Sequence, residues 1–132
     1  MQTKVKAEFN LSNDYLNIPK ITELMGISPT VSYIKGEPIE NRKSLKWKET
    51  LWAIETEYEE TWDINTALEK VVCVLRNKVD TLVKIKEMYD ADIFFVVVVD
   101  IVDGDIPVMS LSNEMVSFMA SLGARIDFCI YI

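Results

Sequence analysis

Carboxylates are the chemically versatile groups this chain supplies in quantity, and two stretches gather them. "DIVDGDIP" sets Asp100, Asp103 and Asp105 around one turn, and oxygen ligands in such clusters suit a hard cation such as Ca²⁺. The spacing does not match an EF-hand loop, and Asp-Gly is an ordinary turn signal, so the stretch reads as a turn and no metal is expected. The second stretch, "ETEYEETWD", interleaves Glu55, Glu57, Glu59, Glu60 and Asp63 with Tyr58 and Trp62. As a partner site it has suitable parts, because aromatics anchor a partner while carboxylates select a basic surface. The plainer alternative is a solvated strand end.

Other chemistries are short of residues. With no His in the chain, the usual general base at neutral pH is missing, as are His-dependent triads and the common Zn²⁺ sites. Cys73 and Cys129 stand far apart, each inside an apolar run. They are expected to be two buried free thiols, not a bridge, and poor nucleophiles without a base. Gly totals only four, and no glycine-rich phosphate loop occurs. No catalytic residue, enzymatic activity or cofactor is expected.

The elements that must position these groups belong to one domain, since 132 residues suit a single core. A chain of this length buries enough surface to fold without a disulfide or metal. The net charge is −7, from 21 acidic against 14 basic residues. Such a balance repels phosphate backbones, which argues against nucleic acid, and it steers a basic protein partner inward. The first residues lack a secretory apolar segment, and the longest apolar run is too short to span a bilayer. A soluble, cytoplasmic protein with no membrane partner is the expectation.

"VKAEFNL" alternates as a strand, with Val5, Ala7, Phe9 and Leu11 on one side and Lys6, Glu8 and Asn10 on the other. "IPKITELMG" is a short helix with Pro19 in its first turn and Gly26 as its stop. Val31–Ile34 return as a strand towards a Gly36–Pro38 turn. "SLKWKETLWAIETEY" reads as one long strand whose apolar phase shifts from Leu45 and Trp47 to Trp52, Ile54 and Tyr58. A bulge or break near Lys48–Thr50 reconciles the two phases. "TALEKVVCVLRNK" is a helix with Thr66 and Glu69 at capping-box spacing, and "DTLVKIKEMY" extends or follows it. "LSNEMVSFMASLG" is the last helix, capped by Ser112 and stopped by Gly123. "ARIDFCIYI" closes as a strand.

Two βαβ-like units result, one at each end of the chain. The fold expected is an α+β two-layer sandwich: a mainly antiparallel sheet of about five strands, helices on one face, in a ferredoxin-like arrangement.

One strand complicates this. Residues Ile93 to Val99 are all apolar, too many for a strand with one wet face. If Ile93, Phe95, Val97, Val99 and Ile101 meet the helices, then Phe94, Val96 and Val98 look the other way, beside Cys129 and Tyr131. A soluble monomer normally avoids such a patch. Its cover is a second copy making a homodimer through the sheet face, a different protein, or the chain's own Asn41–Tyr58 segment.

The landmarks "ITELMGISPT", "IKGEPI", Trp52 within "LWAIETE" and "LSNEMVSFMASLGARIDF" follow one another in a familiar order. Together the chain resembles the bacterial domain of unknown function 4279 over nearly its whole length. The matching residues are Gly26, Pro29, Thr30, Gly36, Glu37, Trp52, Leu122, Gly123 and Asp127. Met25 stands where the family pattern has Leu. Tyr131 follows Asp127 by four residues, where the family places a Tyr closer. Most matches have structural explanations in turns and core, but Asp127 is unusual, because Asp disfavours strands without a partner. The resemblance implies no activity. It implies a loose association with immunity proteins encoded beside polymorphic toxins.

The function expected is therefore a non-enzymatic interaction domain, an immunity protein against a basic bacterial toxin domain. Its contact residues would be Phe94, Val96 and Val98 on the sheet, Glu55, Glu57, Tyr58, Glu59, Glu60 and Trp62 on the acidic run, and Asp127. The alternative is a small-ligand regulatory module of ferredoxin-like build.

Overall fold

The computed structural model describes residues 2–132, apart from the Lys43 side chain. Its central element is β1 (Lys4–Asn13), whose alternation buries Val5, Ala7, Phe9 and Leu11 completely. Helix α1 (Ile18–Met25) starts where the Asn17 side chain accepts a bond from the Lys20 N–H at 3.1 Å. It ends at Gly26, whose φ of 70° favours a residue without a Cβ. Strand β2 (Val31–Tyr33) follows, then β3 (Pro38–Ile39) and β4 (Arg42–Lys46), which form a small sheet of their own.

Strands β5 (Thr50–Glu55) and β6 (Glu59–Glu60) both pair with β1. Between them the ladder is carried by Thr56, whose hydroxyl accepts from the Ala7 N–H at 3.0 Å. The phase shift in the sequence is thus a change of sheet: the chain leaves the β3–β4 hairpin at Trp47 and joins the main sheet at Thr50. Helix α2 (Ile64–Leu75) and α3 (Val79–Tyr89) are separated by one 3₁₀ turn at Arg76–Lys78. Then come β7 (Asp92–Asp100), α4 (Asn113–Ser121) and β8 (Arg125–Tyr131).

The main sheet has six strands in the order β2-β5-β1-β7-β8, with β6 on the β5 side of β1. All pairs are antiparallel except β7–β8. The expected α+β class and mainly antiparallel sheet are present. The crossovers through α1 and α4 each join parallel strands: β7 and β8 are neighbours, whereas β5 lies between β1 and β2. All four helices share one core with the odd-numbered residues of β1 and β7, so they lie on one face. Trp52 is fully buried in that core, and its indole N–H donates to the Thr22 hydroxyl at 3.0 Å.

Three expectations are corrected. Helix α2 starts before Thr66, with Asp63 as its cap accepting from the Asn65 N–H at 2.9 Å. The earlier start lets Ile64, Ala67 and Leu68 enter the core. Both cysteines are exposed. Helical period places Cys73 beside the exposed Val74 on the outer side of α2, and Cys129 lies on the helix-free side of β8. Finally, Val98 is not an open patch residue, being only 6% exposed between Lys6 and Cys129.

Candidate interaction site on the helix-free face

Strand register decides which side chains meet on the face the helices leave bare. Glu8 of β1 stands opposite Glu55 of β5 on one side and Val96 of β7 on the other. Val96 in turn stands opposite Asp127 of β8. Three carboxylates therefore lie in one row across four strands, interrupted only by Val96. The strand spacing makes the row roughly 14 Å long. The next row is uncharged until its end: Val31, Ala53, Asn10, Phe94 and Arg125.

Electrostatics within the acid row are uneven. Partial burial raises the Glu55 pKa, and the Glu8 charge and a hydrogen bond with Glu8 raise it further against the pull of Lys6. Lys6 Nζ sits 3.3 Å from Glu8 Oε2 and 5.5 Å from the centre of the Tyr58 ring. Burial lowers the Lys6 pKa, but Glu55 and Glu8 outweigh it and leave a net rise. At the far end, Arg125 bonds Asp127 at 3.3 Å, pairs with Asp92, and lies 4.4 Å over the Phe94 ring. Glu55 is held in place by Thr30, whose hydroxyl accepts the Glu55 N–H at 2.7 Å while its N–H donates to the Ala53 carbonyl at 2.9 Å.

The hairpin covers the β2 end of this face. Tyr33 and Trp47 stack with centroids 3.7 Å apart and planes within 6°. The Ser12 hydroxyl donates to Glu49 Oε2 at 2.6 Å, tying the hairpin exit to β1. Gly36 and Glu37 close the arrangement, since the Gly36 N–H donates to the Trp47 carbonyl and the Glu37 carbonyl accepts the Trp47 N–H, both at 2.9 Å. A cleft of about 370 Å³ lies between Tyr33, Trp47 and the hairpin residues Ile39 and Leu45, with Lys46, Lys48 and Glu49 at its rim. Burial is the leading cause that raises the Tyr33 pKa, and Glu49, Glu55 and Glu8 add to it.

The structure divides the residues singled out in the sequence. Phe94 and Val96 remain half-buried on the helix-free face, and Asp127 joins them. The acidic run does not act as one rim. Glu55 lies in the acid row, Tyr58 covers Lys6, and Glu60 stands across the β1–β6 ladder from Lys4 on the same face. Glu59 faces the helices instead, opposite the buried Val5 and 2.9 Å from Lys70 of α2. Glu57 is exposed in the link between β5 and β6. Trp62 is 50% exposed next to Val108, whose N–H donates to its carbonyl at 2.6 Å. The segment expected to cover the patch therefore covers only the β2–β5 half, because β5 lies across β1 from β7.

Sequence reading missed Glu8, Tyr33 and Trp47 as site residues. Glu8 was legible as a polar strand residue, but its partners depend on strand order. Asp100, Asp103 and Asp105 lie around a turn, and no group of three or more potential metal ligands forms among the described residues. No helix among them is long and apolar enough to cross a membrane.

Set beside known proteins, residues 3–132 match a family model described as Domain of unknown function (DUF4279). No curated protein and no solved structure matches the chain.

Proposed function

The chain belongs to the DUF4279 family, whose name carries no activity, and on that premise we propose a non-enzymatic protein-interaction domain that receives a basic segment of a partner on its helix-free face. The observation that carries this reading is the row Glu55–Glu8–Val96–Asp127. A Lys or Arg side chain laid across Val96 would meet carboxylates on both sides. It would also offset the Glu8 charge that, after partial burial, raises the Glu55 pKa. Half-buried Phe94 and Val96 supply apolar area, and Tyr58 supplies an aromatic edge. The same acid row would repel a nucleic-acid backbone.

The biological role we propose is an immunity protein that neutralises a basic bacterial toxin domain. The cytoplasm is its proposed setting, where two exposed thiols would stay reduced. Acid–base catalysis by Glu8 and Glu55 is the weaker use of the pair, because neither residue lines the cleft. That cleft favours a second reading, a small-ligand regulatory module, since about 370 Å³ is within the lower range of ligand pockets.

The test compares wild-type protein with Glu55→Lys and Val96→Glu, each verified as folded, as baits in extracts of the native host. The reading expects a basic protein held by the wild type, lost by Glu55→Lys, retained by Val96→Glu, and released steeply by salt. Equal retention by all three baits would refute it. A small molecule retained after native purification and lost on Trp47→Ala would favour the second reading.

A further inference from the structure

The outer edge of β8 carries a property independent of the acid row. The Tyr131 carbonyl accepts the Ile101 N–H at 2.8 Å, so it points towards β7. Backbone groups alternate sides along a strand. Ile126, Phe128 and Ile130 therefore turn their N–H and C=O groups to the open edge, where no further strand pairs among the described residues. The side chains of these same residues stand on the helix side, opposite Phe95, Val97 and Val99. Even so, Phe128 is 41% and Ile130 is 47% exposed. Unused hydrogen-bonding groups and under-buried apolar side chains thus belong to one set of residues.

The usual devices that protect a sheet edge are Lys, Pro, a bulge or a very short strand. The opposite edge, β2, has only three residues. Strand β8 has seven, in unbroken register, with one Arg and one Asp that both lie on the other face. Because those two charges cancel, the edge is locally neutral although the chain carries −7.

We propose that this edge pairs with a second copy of itself, antiparallel, about a twofold axis through Phe128. The apolar order Ile126-x-Phe128-x-Ile130 reads alike in both directions, as a twofold contact requires. Phe128 then faces the second copy's Phe128, and Ile126 faces its Ile130. Each is a pair that exchanges both backbone hydrogen bonds. On the other face Arg125 meets the second copy's Tyr131, and Asp127 meets its Cys129, so no like charges oppose. Centring the axis on Asp127 would set two carboxylates against each other. The sheet becomes continuous through both copies, while each acid row stays free. A single edge pair is smaller than the ~1,200–2,000 Å² of standard stable interfaces, so the dimer forms in a concentration-dependent equilibrium.

Sedimentation of the wild type from about 1 μM to about 500 μM, a span that brackets micromolar association, reads this directly. The expected result is a rise from monomer to dimer mass. Phe128→Lys should remain monomeric throughout, with melting unchanged or improved. Ile130→Pro gives a second readout: its N–H points outward, so proline removes edge bonding while the β7 ladder persists. Monomer mass at every concentration overturns the proposal. So does a dimer that survives both substitutions, or one that Val96→Glu alone dissociates, which would put the contact on the sheet face.

Discussion

Glu55 stands directly across the β1–β5 ladder from Glu8, on the face the helices leave bare. Partial burial and the facing Glu8 carboxylate both disfavour the ionised form of Glu55, so it holds its proton more tightly in the folded chain than in the unfolded one. Folding therefore raises the Glu55 pKa. The stabilising contribution of that proton is complete below the ordinary carboxylate range. It is lost as pH rises through the raised value.

Glu55→Gln should accordingly stabilise the protein at pH 7, by about 0.2–1 kcal/mol, the range for relieving a like-charge cross-strand pair. It should also remove the decline in stability just above the ordinary carboxylate range. Urea melts of both proteins between pH 4 and pH 8 check this. A variant less stable than wild type at pH 7 would show that Lys6 needs the charge there.

Val96 and Val98 should respond oppositely to lysine. At Val96 the new ammonium lies between Glu8 and Asp127, and the change should stay within about 0.5 kcal/mol of wild type. Val98 is buried and its cross-strand neighbour is Lys6. Lysine there should cost about 3 kcal/mol, because it combines desolvation with a like charge. Equal losses at the two sites would mean that the face is covered more fully at Val96.

Both thiols should react with a thiol reagent in the folded protein, since Cys73 and Cys129 are exposed. They should not form an intramolecular disulfide. Helix α2 covers one face of the sheet, whereas Cys129 stands on the other. Two equivalents titrated without denaturant would agree. Protection of either until unfolding would show burial in solution.

Trp52→Ala should cost about 3–5 kcal/mol, the range for emptying an aromatic core position. Thr22→Val keeps the packing but leaves the buried indole N–H without the hydroxyl, and should cost about 1–3 kcal/mol. Chemical denaturation of the two variants and their combination measures the coupling. A double variant equal to the sum of the singles would mean the hydrogen bond contributes little.

Local structure was legible in the sequence wherever one residue's chemistry sufficed. The alternation of β1, the Pro19 start and Gly26 stop of α1, the Ser112 cap of α4 and the double-sided apolar character of β7 all rest on near neighbours in the chain. The Trp47–Trp52 phase shift was visible too, although it marks a passage between two sheets and not a bulge in one strand. The burial of the cysteines was misjudged because an apolar run does not say which of its members turns outward. On α2 the helical period decides that, and on β8 its place at the sheet edge.

The candidate site was only partly legible for a related reason. Glu8 and Glu55 are separated by 46 intervening residues and Asp127 lies further still along the chain, so nothing local aligns them. Strand order and register do so, and these follow from how Phe9, Trp52, Phe95 and the helices pack a common core. Burying the odd-numbered residues of β1 fixes where the even-numbered ones must point. The sequence by itself determined that carboxylates and half-buried apolar residues would need partners. Only the tertiary structure decided which of them meet, because a register shift of one residue would have turned Glu8 towards the core and Phe9 away from it.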